Sequence, residues 1–446
     1  MHDKAAPAAV SAREAFGFWF KLGFISFGGP AGQIALMHQE LVERRRWISE
    51  RRFLHALNYC MLLPGPEAQQ LATYLGWLMH RTWGGILAGA LFVLPSLLLL
   101  IGLSWIYMEW GNNGWVAGLF YGIKPAVAAI VVQAAYRIGN RSLKSAALWA
   151  LAAASFVAIF ALQLPFPAIV LAAAAVGAVC GRWAPAYFQL GGGQGKADTS
   201  YGPALIDDKT PTPAHALFRW NRLATVAAGG LALWFLPMSA MVLLGGWDNA
   251  LTQMGWFFTK AALLTFGGAY AVLPYVYQGA VEHYGWLTAP QMMDGLALGE
   301  TTPGPLIIVV AYVGFVGGYA RALLGSEHLF WAGALASTVV TWFTFLPSFV
   351  FILAGGPLVE STHNDLKFTA PLTAITAAVV GVILNLALFF SYHVVLPSGS
   401  HGAPDVVAAS LMVGAAVALF GFRRGVVQVI VGCAFAGLLL TALHWA

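Results

Sequence analysis

Two long stretches of this chain share one register. Lys21 matches Lys260, an offset of 260 − 21 = 239 residues. The same offset relates Phe27-Gly28-Gly29 to Phe266-Gly267-Gly268, Glu43 to Glu282, Trp47 to Trp286, and Pro64-Gly65-Pro66 to Pro303-Gly304-Pro305. Farther on, Leu94-Pro95-Ser96 matches Leu346-Pro347-Ser348 at an offset of 252, so the second copy carries an insertion near 318–330. A period this long exceeds any solenoid repeat. The chain must therefore fold as two equivalent halves with a surface between them.

Composition sets the solvent of those halves. Hydrophobic residues make up 59% and charged residues 9%, where a soluble domain carries roughly 25% charge. A soluble enzyme, a disordered chain and a nucleic-acid binder are excluded. The net charge of +5 comes without a basic face large enough for a polyanion; scattered Arg and Lys on such a chain mark cytoplasmic loops. A spanning helix needs about 20 apolar residues, and about 13 apolar segments can be traced between residues 14 and 445. We expect an all-α integral membrane protein of two homologous halves with broken helices.

The expected organisation is a polar segment 1–13, a first repeat 14–182, a polar linker 183–220, a connecting helix 221–250 and a second repeat 251–446. The linker, with Gly191-Gly192-Gly193, Asp207-Asp208-Lys209, Pro211 and Pro213, reads as flexible. Cys60, Cys180 and Cys433 form no metal spacing and no disulfide framework. No signal-peptide pattern is read after Arg13, and a bacterial inner membrane is the expected location.

Phe-Gly-Gly and Pro-Gly-Pro interrupt apolar segments. Proline removes a donor and ends one helix where another starts. In hydrocarbon such breaks survive only where protein or a water-filled cavity satisfies the freed backbone. Each break leaves a helix N-terminus at membrane depth, whose N–H groups and dipole favour anions. Up to four such starts could converge on one small anion. The bland alternatives are helix-packing glycines and simple kinks.

Lys21 and Lys260 lie six residues before their Phe-Gly-Gly motifs. They either add positive charge to an anion path or snorkel to an interface. Glu67 follows Pro66, and Glu300 precedes the second Pro-Gly-Pro; either takes up a proton during transport or is a capping carboxylate. Asn58, Gln69, Gln70, Ser26 and Thr265 are neutral candidates for the site wall, or bonds between helices. Segment 38–52, with Arg44, Arg45, Arg46, Arg51 and Arg52, reads as an amphipathic surface helix on the cytoplasmic side. A re-entrant first Pro-Gly-Pro segment would make the halves parallel and put Arg423 and Arg424 outside. Two full crossings would make the halves inverted. Charge leaves both open.

The run Phe24-Ile25-Ser26-Phe27-Gly28-Gly29-Pro30 resembles the first signature of the chromate ion transporter family, two-half type. Trp47 and the runs Leu62-Leu63-Pro64-Gly65-Pro66-Glu67-Ala68-Gln69-Gln70 and Leu71-Ala72-Thr73-Tyr74-Leu75-Gly76 do so too. Thr265-Phe266-Gly267-Gly268 and Pro303-Gly304-Pro305 repeat the pattern. The resemblance covers nearly the whole chain outside the polar ends and linker. It implies a secondary transporter that expels chromate from the cytoplasm and confers resistance to it, with sulfate competing. It also implies halves of opposite orientation. The second half departs from the first, with Leu306 for Glu67 and Val309 for Gln70, so the first half should be the more substrate-facing.

The residues expected at the anion are Lys21, Ser26, Gly28, Gly29, Pro30, Asn58, Pro64, Gly65, Pro66, Gln69 and Gln70, then Lys260, Gly267, Gly268, Thr302, Pro303, Gly304 and Pro305. Glu67 and Glu300 are the proton-coupling candidates. Expected partners are chromate, sulfate, lipid bilayer and protons, with no nucleic acid, no cofactor and no metal. Nothing resembles the Gly-x-x-x-x-Gly-Lys-Ser/Thr loop, so energy should come from a gradient. The competing readings are a sulfate or other oxyanion transporter, a membrane-embedded oxidoreductase, and an uncoupled channel or scaffold.

Overall fold

The computed structural model describes residues 7–27, 29–111, 113–183, 201–208, 210, 211, 213–361, 369–397 and 403–443. The first half comprises α1 (Ala12–Ile25), α2 (Gly29–His38), α3 (Glu50–Leu62), α4 (Glu67–Trp110), α5 (Gly114–Ser142), α6 (Ala146–Phe160) and α7 (Phe166–Trp183). A connecting helix, α8 (Trp220–Gly245), follows. The second half comprises α9 (Ala250–Leu263), α10 (Ala269–Tyr277), α11 (Ala289–Thr301), α12 (Val309–Ala320), α13 (Leu329–Ser361), α14 (Thr369–Val395), α15 (Val406–Ala416) and α16 (Val426–Ala442). Six helices are long and apolar enough to cross a membrane, and shorter apolar helices accompany them.

The helices before the breaks are too short to cross. α1, α3, α9 and α11 have 14, 13, 14 and 13 residues. At 1.5 Å per residue they reach roughly 20 Å, against about 30 Å of hydrocarbon. The chain then turns back. Arg45, after the first break, meets Glu14 near the start of α1 at 3.5 Å. Arg52 at the start of α3 and Tyr74 beyond Pro-Gly-Pro both touch Glu360, at 3.6 and 2.5 Å. In the second half the Phe257 ring stacks on Tyr275 at 4.7 Å. An ideal Cβ on Gly295 would lie 2.3 Å from Tyr312, and one on Gly299 would lie 3.2 Å from Val309. Each half therefore opens with two re-entrant hairpins whose tips are the Phe-Gly-Gly and Pro-Gly-Pro breaks.

The second hairpin of the first half ends inside α4. His80 (φ −130°, ψ 32°) and Arg81 (φ 58°, ψ −160°) leave helical geometry. Residues 67–79 then pack back-to-back with 82–110 through glycine: a Cβ on Gly76 would stand 2.5 Å from the Gly84 carbonyl. Small residues at such a contact let two backbones approach closely.

Two long helices fix the relative sense of the halves. The part of α4 after the kink leaves the base of the first-half hairpins, and Ser96 then bonds the Pro303 carbonyl at a second-half tip. The same helix ends where Tyr107 bonds Asp294 at 2.9 Å and Glu109 meets Tyr319 at 2.7 Å, at the second-half base. α13 runs the other way: from the second-half base, past Ser348 beside Gln70, to Glu360 at the first-half base. The two bases lie on opposite faces of the membrane, so the repeats are inverted. α8 carries the chain across between them, with Gly230 against Val350 and the Trp342 Nε1–H bonded to the Leu233 carbonyl.

Both topologies drawn from charge need correction. The breaks re-enter, yet the halves are inverted, because each half has two re-entrant hairpins rather than one. The turn holding Arg423 and Arg424 comes back to the face of the first-half base, since Phe420 packs on Tyr136 near the end of α5. Arg44, Arg45, Arg46, Arg51, Arg52, Arg81, Arg141, Lys144, Arg182, Arg219, Arg222, Arg423 and Arg424 all belong to that face. Among the described residues, Arg321 is the one arginine at the opposite face.

Segment 38–52 is not one surface helix. α2 runs into a π turn (Gln39–Arg44), Arg46 takes φ 52°, Ile48 pairs with Ile206, and α3 starts under a Ser49 cap. The described part of the polar linker is docked here: Ser49 bonds Asp208 at 2.6 Å, and Ile206 and Ala216 are buried. Residues 184–200, with the triple glycine, lie outside the described residues.

Candidate functional site

The four hairpin tips meet in pairs across the two halves. The N–H of Gly304 donates to the Ser26 carbonyl at 2.7 Å, and the N–H of Gly65 donates to the Thr265 carbonyl at 2.7 Å. Since 26 + 239 = 265 and 65 + 239 = 304, the two bonds are one contact seen twice. A pseudo-two-fold axis passes between them. Each Pro-Gly-Pro tip is thus seated on the Phe-Gly-Gly tip of the other half.

Side chains satisfy the carbonyls that proline frees. Gln70 Nε2 donates to the Pro64 carbonyl at 2.7 Å. Ser96 donates to the Pro303 carbonyl, and Gln33 Nε2 donates to the carbonyls of Gly304 and, at 3.2 Å, Ser26. Glycine is required at the centre of each tip. Gly65 and Gly304 have φ of 125° and 108°, and a Cβ would stand 2.3 Å from Ser348 Oγ and 1.8 Å from Ser96 Oγ. The serines of the Leu-Pro-Ser repeat are therefore the floor on which the opposite tip rests.

Donors at the tips are treated differently from donors at the membrane surface. Helices that start at the bases carry side-chain caps, from Ser11, Ser49, Asn249 and Thr288. The starts at Pro66, Gly268 and Pro305 have no side-chain cap. An uncapped start leaves N–H donors and positive dipole charge free for an anion. Open space surrounds Gly29 and Gly268, where an added Cβ would meet no atom within 4 Å. The start at Leu306 is fully buried.

A buried acid stands at one of these starts. Tyr270, in the first turn of α10, donates to Glu300, which is 8% exposed. Arg137 and Arg141 lie near the end of α5. The two arginines are one turn apart on the exposed side of α5. Among the described residues neither has a carboxylate within ion-pair distance, and Arg137 is held by Gln133 Oε1 at 2.5 Å.

The halves differ in how their hairpins are held. In the second half α10 packs on α14, and α11 packs on α5 and α16. The related α2 and α3 make no comparable contact with α5, α14 or α7 among the described residues. The site is packed shut toward the base of the second half, whereas on the arginine-rich face the first-half hairpins are not packed on α5 in the same way among the described residues.

Of the expected residues, Ser26, Pro64, Gly65, Pro66, Gln70, Pro303, Gly304 and Pro305 are brought together at the tip contacts. Gly29 and Pro30 begin α2, Gly267 and Gly268 precede α10, and Gly267 faces Thr376 of α14. Thr302 bonds back to the Leu298 carbonyl at 2.6 Å, and Gln69 bonds Thr73 at 3.0 Å. Lys21 and Asn58 stand exposed on α1 and α3. Lys260 lies over the Trp256 ring at 5.7 Å, about a turn before its tip. Gly28 lies outside the described residues. Sequence reasoning passed over Gln33, Ser96 and Ser348, although the Leu-Pro-Ser repeat marked the serines.

A family model described as chromate transporter matches residues 13–178 and 252–438, the two inverted halves. The chain is 35% identical over 384 residues to a chromate transport protein of Pseudomonas aeruginosa, covering 85% of this chain and 81% of that one. It is 28% identical over 422 residues to a chromate transport protein of Cupriavidus metallidurans, covering 94% and 91%. A probable chromate transport protein of Synechococcus elongatus is 28% identical over 377 residues, covering 84% and 83%. No solved structure matches the chain.

Proposed function

The chain belongs to the chromate transporter family, and on that premise we propose that it exports chromate from the cytoplasm as a secondary transporter, with sulfate as a competing analogue. The observation that carries this reading is the set of uncapped helix starts on hairpin tips that meet at mid-depth. Chromate is a tetrahedral dianion, and backbone N–H groups from several helix starts suit its outward oxygens. The same donors accept sulfate, which has nearly the same shape and charge.

By the positive-inside rule the arginine-rich face is cytoplasmic, in a bacterial inner membrane. The less tightly packed side, between the first-half hairpins and α5, then faces the pool from which chromate is taken. Arg137 and Arg141 line that approach and attract the dianion; Gly29, Pro66 and Gly268 mark the helix starts that receive it. Glu67 and Glu300 are the groups that take up a proton as the anion binds or leaves. An uncompensated dianion leaving a negative-inside cell gains about 2 × 2.3 kcal/mol per 100 mV, so the gradient needed for export is present. Cells carrying the protein would resist chromate.

The test is uptake of labelled chromate into everted membrane vesicles. Saturable uptake suppressed by sulfate supports the reading. Protein-containing vesicles that take up no more chromate than controls refute it.

A further inference from the structure

Asp294 sits in the middle of α11, on the side of the molecule where the site is closed. Its side chain is 3% exposed. One oxygen, Oδ2, accepts from Tyr107 of α4 at 2.9 Å and faces Lys124 Nζ of α5 at 3.5 Å. The other, Oδ1, is buried with no partner among the described residues, as is the hydroxyl of Tyr312 on α12. The Tyr312 ring lies 5.6 Å from that of Tyr107. From α16, which also touches α11, no acidic or basic side chain faces the group.

The ion pair spans the contact that distinguishes the two halves. α11 is held to α5, whereas its counterpart α3 makes no comparable contact with α14 among the described residues. The counterpart of Asp294 is His55, since 294 − 239 = 55, and that of Lys124 is Thr376, since 124 + 252 = 376. No second copy of this pair exists to hold the first half shut. A buried carboxylate whose charge rests on one lysine is costly to keep once that pair is disturbed. Its unpartnered oxygen is where a proton can add.

We propose that Asp294 is a proton-binding site that locks the closed face: ionised, it ties α11 to α5 through Lys124; protonated, it releases them and lets that face open. The proton comes from water at that face and adds to a carboxylate oxygen; no other bond changes. If the chain exports chromate as read above, protons entering from outside would open the exit, which makes the device a coupling step resting on that reading.

The lock itself is tested without chromate. In a chain with Cys60, Cys180 and Cys433 replaced, Ala297→Cys places a thiol one turn from Asp294. Labelling by a membrane-impermeant maleimide, expressed relative to a permanently exposed thiol at the same pH because only the thiolate reacts, should rise severalfold between pH 8 and pH 5.5. With either Asp294→Asn or Lys124→Gln added it should be high at both values. The native-cysteine chain gives a second readout: rate-corrected hydrogen exchange over 289–301 should follow the same pattern. Labelling and exchange that ignore pH in the parent chain overturn the proposal, and so does a pH response that survives Asp294→Asn. Because neither readout uses chromate, failure of the lock and failure of the proposed cargo are separate results.

Discussion

The Gly304 N–H and the Ser26 carbonyl are 2.7 Å apart although they belong to hairpins that enter the membrane from opposite faces. With its symmetry mate between Gly65 and Thr265, this bond holds the two halves together where their helices are broken. The arrangement accounts for how so much broken backbone is tolerated at mid-depth. Tip donors and carbonyls partner each other or buried side chains, while the helix starts at Pro66 and Gly268 carry no side-chain cap.

Gln33 is the side chain on which one tip contact depends. It donates to both Ser26 and Gly304 from a fully buried position. Gln33→Leu leaves the Gly304 carbonyl without a donor, while the Ser26 carbonyl keeps the Gly304 N–H, and an unmet buried polar group costs about 1–3 kcal/mol. The variant should insert normally but melt at lower temperature, measured by thermal unfolding in detergent. An unchanged melting temperature would mean that the glutamine bridge does not hold the tip.

Arg137 and Arg141 should act on approach more than on turnover. Arg137→Gln and Arg141→Gln are expected to raise KM for chromate severalfold with little change in kcat. The effect should shrink as ionic strength rises, because focusing of an anion by exposed charge is screened. Arg→Lys should restore most of the loss. A fall in kcat at constant KM would place these side chains elsewhere in the cycle.

Glu67 and Glu300 separate by their pH profiles. If a carboxylate carries the coupled proton, its Gln variant should transport at a rate that no longer follows pH, while sulfate still competes. Glu300 is the more buried and is bonded to Tyr270, so Glu300→Gln should show the larger effect. A wild-type pH profile in both variants would remove both residues from coupling.

The duplication was legible because it leaves a register: one offset exposed the halves, the breaks and the Leu-Pro-Ser floor. Re-entrance was not. Residues 14–36 are mostly apolar and long enough to cross, and contacts such as Glu14 with Arg45 and Phe18 with Trp47 reveal that the chain turns back. Hydropathy counts length, whereas turning back depends on which tip the other half offers. Residues 201–216 read as linker because they are polar, yet Ile206 and Ala216 are buried on the first-half base. The roles of Arg137, Lys124 and Asp294 come from elements far apart in sequence, which no local pattern records. The single-helix reading of 38–52 failed because charge spacing cannot show a π turn or the bridge of Ile48 to Ile206.

The most direct measurement is labelled-chromate uptake by everted vesicles containing Gly65→Val or Gly304→Val, at protein levels matched to wild type. At both positions the backbone lies in a region that disfavours a side chain, and the Cβ would strike the opposing serine; strain of this kind costs about 1–3 kcal/mol. Passage of the anion between seated tips predicts that both variants insert and lose most of the saturable, sulfate-sensitive uptake. Wild-type uptake in both would contradict it.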